Sequence, residues 1–290
     1  MGILLSFLSA CLSTGLEKRS RPIKIHGHRG ARAKFPENTL PAMEYAMSLG
    51  VDFLETDMGV TKDGVVVLNH DTSINPDLCQ YKNSSPLTNP ILIRELSLKE
   101  IKEFDCGSKR NKKFKEQKLI AGTEIPTLEE LFIMVKNSKL PNAQSIEFNL
   151  ETKIEEDKDE TVDPEIFVKL VLEVIRKHKM LDRVILQSFD FRTLKIAKKL
   201  EPKIRISALT ENHEDYLAIA KGLSANVVSP QWSEISTEEI TALHDIGVEV
   251  APWTLNGPWS WSKMLGADAD AIITDDPAAL QAYIKKYSKN

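Results

Sequence analysis

Phe53-Leu54-Glu55-Thr56-Asp57-Met58-Gly59-Val60-Thr61-Lys62-Asp63-Gly64-Val65-Val66-Val67-Leu68-Asn69-His70 is a pair of apolar runs joined by a short link, and the way they pair decides the architecture. The link contains Asp63-Gly64, a strong hairpin signal. Parallel neighbours need a crossover of about a dozen or more residues, so these two runs are expected to be antiparallel at their join. The same stretch carries chemistry. Glu55 and Asp57 lie two apart and share one strand face, so they offer two oxygen ligands to one hard cation. The fold-back brings His70 to their level. His28 stands on the other side of them in sequence, in Ile25-His26-Gly27-His28-Arg29-Gly30, an apolar approach that runs out into a loop. The layout reads as a metal site with an acid and a base beside it.

Moving outward, beta-like runs recur at Ile23–His28, Phe53–Met58, Val65–His70, Ser145–Glu151, Val184–Phe189, Ile204–Leu209, Asn226–Pro230, Val248–Trp253 and Ala271–Asp275, with helical stretches between them. Setting aside Val65–His70 as a hairpin arm leaves eight strands that alternate with helices, the pattern of a TIM-type (β/α)8 barrel. The chain's 290 residues suit such a barrel, around 250 residues, plus an insertion. The insertion, residues 71–124, holds Pro76, Pro86 and Pro90 and is expected to cap the mouth. The barrel then comprises 21–70 and 125–290. Helices are predicted over Ser97–Asp105 and Thr127–Lys136, because Ser97-Leu98-Lys99-Glu100 and Thr127-Leu128-Glu129-Glu130 both match the capping box.

Composition excludes some classes. A hydrophobic fraction of 42% and a charged fraction of 28% are ordinary for a globular protein and speak against disorder or multiple membrane spans. A net charge of −4 argues against nucleic acid as a partner, and the basic run from Lys109-Arg110 to Lys115 reads as a solvated loop. Residues 1–20 read as a leader. The run from Ile3 to Cys11 is too short to span a bilayer, but Leu8-Ser9-Ala10-Cys11 resembles the lipobox at which bacterial lipoproteins are cleaved and lipidated on cysteine. Attachment to a membrane through a lipidated Cys11, as a periplasmic or membrane-anchored protein, is one expectation. No Lys or Arg precedes the run, so a cytoplasmic protein whose run packs on the barrel is the other. Cys79 and Cys106 are left as one bridge or two buried thiols.

Several motifs carry a family resemblance: His28-Arg29-Gly30, Pro36-Glu37-Asn38-Thr39, Glu55-Thr56-Asp57, Thr61-Lys62-Asp63-Gly64, Asn69-His70-Asp71, Asn149-Leu150-Glu151-Thr152-Lys153, Gln187-Ser188-Phe189-Asp190, Trp253-Thr254-Leu255-Asn256 and Thr274-Asp275-Asp276-Pro277. In this order, and at or just past strand ends, they resemble the glycerophosphodiester phosphodiesterases. The resemblance implies a TIM-type barrel that hydrolyses deacylated phospholipids to glycerol 3-phosphate and an alcohol with a divalent metal.

The residues themselves agree. Glu55, Asp57 and Glu151 supply three carboxylates, which favours Mg²⁺ or Ca²⁺ over zinc. Arg29 and Lys153 are positioned to offset charge that builds on the phosphodiester. His28 and His70 form the acid–base pair, with the roles open between them. Gln187, Trp253 and Asn256 are expected to complete the wall. His26, His178, His213 and His244 read as structural, Trp232, Trp259 and Trp261 as core, and Asn38 as a pin for the first loop. The competing readings are a phosphoinositide- or sphingolipid-cleaving relative on the same barrel, and a non-catalytic binding protein.

Overall fold

The computed structural model describes residues 22–154 and 158–287, so the expected leader, with Cys11, lies outside the described residues. Eight parallel strands form the barrel: β1 Lys24–Gly27, β2 Phe53–Val60, β3 Glu147–Thr152, β4 Val184–Ser188, β5 Arg205–Thr210, β6 Val227–Pro230, β7 Glu249–Val250 and β8 Ala271–Thr274. They follow one another around the sheet, with β1 lying between β2 and β8. The gap between β7 and β8 is bridged by backbone bonds from Asp270 N to Val250 O, Ile273 N to Pro252 O and Leu255 N to Ile273 O. Each strand leads to a helix: α1 Leu40–Ser48, α2 Leu128–Asn137, α3 Pro164–Lys177, α4 Phe191–Leu200, α5 Tyr216–Leu223, α6 Thr237–Asp245, α7 Pro258–Gly266 and α8 Pro277–Tyr287.

Local chemistry explains the helix starts. Thr127 and Ser236 each accept from the backbone N–H three residues on, while Glu130 and Glu239 reach back to the cap, so two orphan donors are satisfied at each end. At α3, Asp163 caps the N–H groups of Glu165 and Ile166, and Pro164 occupies a first-turn position where no N–H is needed.

The hairpin expectation holds. The arm Val66–Leu68 runs antiparallel to β2 with Met58 opposite Leu68, and Asn69 N bonds to Asp57 O, which brings His70 level with the carboxylates. The insertion has its own small core of Ile74, Cys79, Leu87, Ile93, Ile101, Phe104 and Cys106, built on Val67 of the arm. It seats on β2 at Gly59, where an added Cβ would meet Ile93 Cδ1 at 3.2 Å. Cys79 and Cys106 are joined in a disulfide. The helix predicted over Ser97–Asp105 is shorter. Its capping box forms, but the helix covers only Leu98–Ile101, because Phe104–Asp105 becomes a strand against Gln80–Tyr81 with Phe104 stacked on Tyr81.

Trp261 is buried, but Trp259 is not the core residue expected. It is 72% exposed and meets Trp232 edge-on, because it opens the first turn of α7 on its outer face. The run from Lys109 to Lys115 is largely exposed as read, although Arg110 curls back to the carbonyls of Lys115 and Gln117.

The floor of the barrel is packed by Phe53, Ile185, Val227, Ala251 and Ala271. His26 belongs to this layer, stacked on Phe53 at 4.1 Å between centroids, and burial pushes its pKa down to about 3. It is a core histidine, as read. Because the folded ring resists protonation that the unfolded chain accepts near 6.5, the unfolded state binds more protons between those values. His26 therefore contributes stability that is complete above pH 6.5 and is lost as pH falls toward 3, with a limiting slope of about 1.4 kcal/mol per pH unit. Denaturant titrations of the native protein and of His26→Phe should show a shallower acid slope in the variant; equal slopes from pH 6.5 to 4 would refute this.

Candidate active site

Strand register assembles the site before any side chain is considered. Asp57 on β2 pairs with Glu151 on β3, and Glu151 pairs in turn with Gln187 on β4, so three polar side chains sit on one rung. Glu55 lies one inward-facing step below. The carboxylates of Glu55, Asp57 and Glu151 are buried with ligand atoms within 4.8 Å of one another, a donor set suited to one metal ion.

Each acid is held separately. Glu55 Oε2 accepts from the Arg29 backbone N–H at 2.7 Å and Glu55 Oε1 from Gln187 Nε2 at 2.9 Å. Asn38, at φ 54°, donates to Asp57 Oδ2 at 2.9 Å and accepts from Thr56 Oγ1 at 2.7 Å, so it pins the first loop to β2 as expected. Asp57 Oδ1 is buried with no hydrogen-bond partner and lies 3.4 Å from Lys153 Nζ, which itself pairs with Glu151 at 2.6 Å. An orphaned carboxylate oxygen that faces two other carboxylates fits a hard, oxygen-seeking cation.

The charge balance is visible in the titration of the groups. Burial, then repulsion from Asp57 and Glu151, pushes Glu55 well above the usual carboxylate range. Burial pushes Glu151 up to about 7 even with Lys153 beside it. Burial alone would raise Asp57 as well, but Lys153 and Arg29 hold it well below its ordinary value. One acid of the three is thus firmly ionised, and the other two repel it and each other.

Both expected histidines face the site. His28 is buried, and its Nδ1 lies 2.5 Å from Asp275 Oδ1 on the loop after β8. Because Asp275 is held well below the carboxylate range by His28 and Arg32, it has no proton to give, so His28 donates from Nδ1. Nε2 is left facing Glu55 at 3.9 Å. Burial, outweighing Asp275, pushes the ring's pKa down to about 4, so His28 is neutral at pH 7. His70 lies across the site, half-exposed, with Nδ1 on Asp71 Oδ1 at 2.7 Å.

Arg29 and Lys153 line the same cavity, of about 710 Å³, but neither is unpaired. Arg29 bonds Glu37 at 2.6 Å through its NH1 and stands 3.2 Å from Asp57 through Nε, an ion pair without hydrogen-bond alignment. Gln187 and Trp253 line the cavity as read, and Phe189 meets Trp253 edge-on at 5.4 Å. Asn256 does not line it. Its amide is exposed at the rim and committed to Asp275, donating to Oδ2 at 2.6 Å and accepting from the Asp275 N–H at 2.9 Å. It steadies the partner of His28.

Of the inserted segment only Asp71 and Thr72 reach the cavity, and the rest of that wall comes from Lys158 and Glu160 after β3. The insertion braces this wall from outside: Thr72 Oγ1 donates to Glu160 at 2.6 Å and Arg94 pairs with Asp159 at 2.5 Å.

Asp275, Arg32, Asp71 and Phe189 had no assigned role from sequence. Asp275, Asp71 and Phe189 sit in motifs that carried the resemblance; Arg32 had no signal there.

Residues 28–279 match the model of the glycerophosphoryl diester phosphodiesterase family. A glycerophosphodiester phosphodiesterase of Caldanaerobacter subterraneus subsp. tengcongensis is 30% identical over 90% of this chain and 98% of its own. Among solved structures, a protein of Silicibacter pomeroyi assigned to the glycerophosphoryl diester phosphodiesterases is 26% identical, with a TM-score of 0.85 over 95% of this chain and 97% of its own. An Oleispira antarctica phosphodiesterase, solved with the product sn-glycerol-3-phosphate, shares the fold at 23% identity and a TM-score of 0.74, over 90% and 96% of the two chains.

If Asp275 fixes the tautomer of His28, Asp275→Asn should lower kcat by about 10²-fold or more while KM moves little. Steady-state kinetics with a thermal melt alongside checks this. A well-folded variant with wild-type kcat would remove Asp275 from the machinery.

Proposed function

This chain belongs to the glycerophosphoryl diester phosphodiesterase family, and we propose that it hydrolyses glycerophosphodiesters with His28 as general base, His70 as general acid and a divalent cation held by Glu55, Asp57 and Glu151. The activity itself follows from the family match and from named relatives over nearly the whole chain. The division of labour rests on one observation: His28 is neutral and fixed through Nδ1 to an ionised Asp275, so Nε2 keeps a lone pair turned into the site.

The attacking group, either a water or the substrate's own glycerol 2-hydroxyl whose cyclic phosphate a water then opens, loses its proton to His28 Nε2 as its oxygen approaches phosphorus. Across the site the bond from phosphorus to the alcohol oxygen breaks, and His70 delivers a proton to the departing oxygen. Exchange with solvent returns the proton on His28 and restores the one lost from His70. Glycerol 3-phosphate and the free alcohol are the products.

Charge is the main obstacle, because the diester is already anionic and gains charge at the transition state. When bound, Mg²⁺ or Ca²⁺ supplies positive charge to the phosphoryl oxygens. Lys153, held protonated well above its ordinary range by Glu151 and Asp57 in spite of burial, adds a fixed positive charge on the same side. Gln187 keeps Glu55 aimed into the site. Phe189 and Trp253 give the carbon skeleton of the substrate an apolar wall.

Chelation should abolish hydrolysis of glycerophosphocholine, and Mg²⁺ or Ca²⁺ should restore it. Calorimetric titration of the stripped protein supplies a second readout, in which Glu151→Gln should bind the ion roughly tenfold more weakly or worse. Full activity after exhaustive chelation would end the metal proposal.

We also place the protein in an oxidising compartment, since Cys79–Cys106 is the kind of bond that forms and persists there. Lipidation at Cys11 would then tether it to a membrane. Labelled fatty acid should enter the wild type and not Cys11→Ala; a wild type that takes up no label refutes the tether.

A further inference from the structure

The insertion does more than form a separate small core. From its apolar interior a continuous line of hydrogen bonds runs to His70. Cys79 N donates to Asn75 O at 2.8 Å, and Leu78 N donates to the same carbonyl at 3.0 Å. Asn75 Oδ1 accepts from Asp77 N at 2.9 Å, which fixes the orientation of its amide. The other end, Nδ2, donates to Asp71 Oδ2 at 2.8 Å. Asp71 Oδ1 then takes the hydrogen bond from His70 Nδ1 at 2.7 Å. Both oxygens of Asp71 are therefore spoken for, one by the insertion and one by the histidine.

The disulfide lies where this line needs support. Gln80 pairs with Asp105 and Tyr81 with Phe104, so Cys79–Cys106 adds one covalent rung to the end of that ladder, and both sulfur-bearing residues are buried. Cys106 is fixed in turn through its N–H to Thr123 O at 2.8 Å. A small space of about 30 Å³ is lined by His70, Asp71, Asn75, Cys79 and Cys106 together, so the bond lies close beside His70. Without the rung, the turn from Asn75 to Cys79 would be held to the rest of the insertion by two two-residue pairings, Ser73–Ile74 with Ile91–Leu92 and Gln80–Tyr81 with Phe104–Asp105, by Lys109 Nζ on the Pro76 carbonyl, and by packing.

We propose that Asn75 and the Cys79–Cys106 bond are a positioning device for His70, acting through Asp71, so that the covalent state of the insertion sets the rate of proton delivery to the departing alcohol. This rests on His70 serving as the general acid. A poorly placed acid should still leave substrate binding intact, because Asn75, Cys79 and Cys106 do not line the main cavity and reach it only through His70 and Asp71. The deficit belongs to kcat, and it should scale with how much protonation the leaving group needs.

Glycerophosphocholine and bis-p-nitrophenyl phosphate separate the effects, since a nitrophenolate departs with little protonation. Asn75→Ala keeps the disulfide, and Cys79→Ala/Cys106→Ala removes it. Dithiothreitol on the intact enzyme does so reversibly, giving two electrons and two protons to the S–S bond and becoming its own cyclic disulfide. Each of the three should lower kcat on glycerophosphocholine about tenfold, leave KM within about twofold, and change the nitrophenyl rate less than twofold. Combining Asn75→Ala with the cysteine pair should cost little more than either alone, as for members of one chain of contacts. Circular dichroism identifies any form that has unfolded, in which case Asn75→Ala decides. Equal losses on both substrates, a change in KM alone, or a lowered Tm with wild-type kcat would overturn the inference. His70→Ala, run beside them, tells the two failures apart. If it too lacks selectivity for the unactivated ester, the acid role itself is wrong; if it is selective and the others are not, only the positioning line falls.

Discussion

Three carboxylates buried within 4.8 Å of one another are the constraint from which the rest follows. Taking even one such charge out of water is costly, and each additional like charge raises the cost for the others. The fold meets it with a lattice of fixed partners: Lys153 between Glu151 and Asp57, Arg29 beside Asp57, Asn38 under Asp57, Gln187 and a backbone amide on Glu55. Parallel register makes this possible, because Asp57 and Glu151 come from neighbouring strands as direct partners. The site is accordingly suited to completion by a cation, and its polar layer sits on an apolar floor of Phe53, Ile185 and Val227.

Much of this was legible in the sequence because it is local. Asp63-Gly64 between two apolar runs fixes the hairpin, and Ser97/Glu100 and Thr127/Glu130 mark helix starts by spacing alone. Glu55 and Asp57 share a face by strand periodicity. What escaped is long-range. The sequence offers two adjacent acids, Asp275 and Asp276, and only barrel closure shows that Asp275 meets His28 while Asp276 caps Ala279. That Asn256 gives its amide to Asp275 is likewise visible only once the barrel closes. Trp259 and Trp261 are two apart at the start of one helix, and which of them faces inward depends on how α7 docks. The shortened helix after Ser97 has the same origin, since Phe104 is taken by pairing with a strand more than twenty residues earlier.

The insertion shows how a barrel can be modified without disturbing its sheet. It leaves β2 through the arm and returns at Thr127, so the parallel ladder from β2 to β3 stays intact. Its contacts with the barrel include apolar ones on Val67 and Gly59 and polar ones on His70, Glu160 and Asp159. The first hold it in place and the second connect it to the wall of the cavity.

His28 and Asp275 come from the first and last strands of the barrel, 247 residues apart, and they meet only because β1 and β8 zip together from Lys24–Ala271 to Gly27–Thr274. A contact of such separation carries a large loop-closure cost, and its second partner is among the last residues to be made. During synthesis a growing chain therefore carries the three carboxylates long before it carries the partner that fixes the tautomer of His28, and a chain that ends before residue 275 never acquires that partner. With His28 as the base proposed above, full turnover waits on the docking of the last strand, and hydrolysis then reports that the barrel has closed.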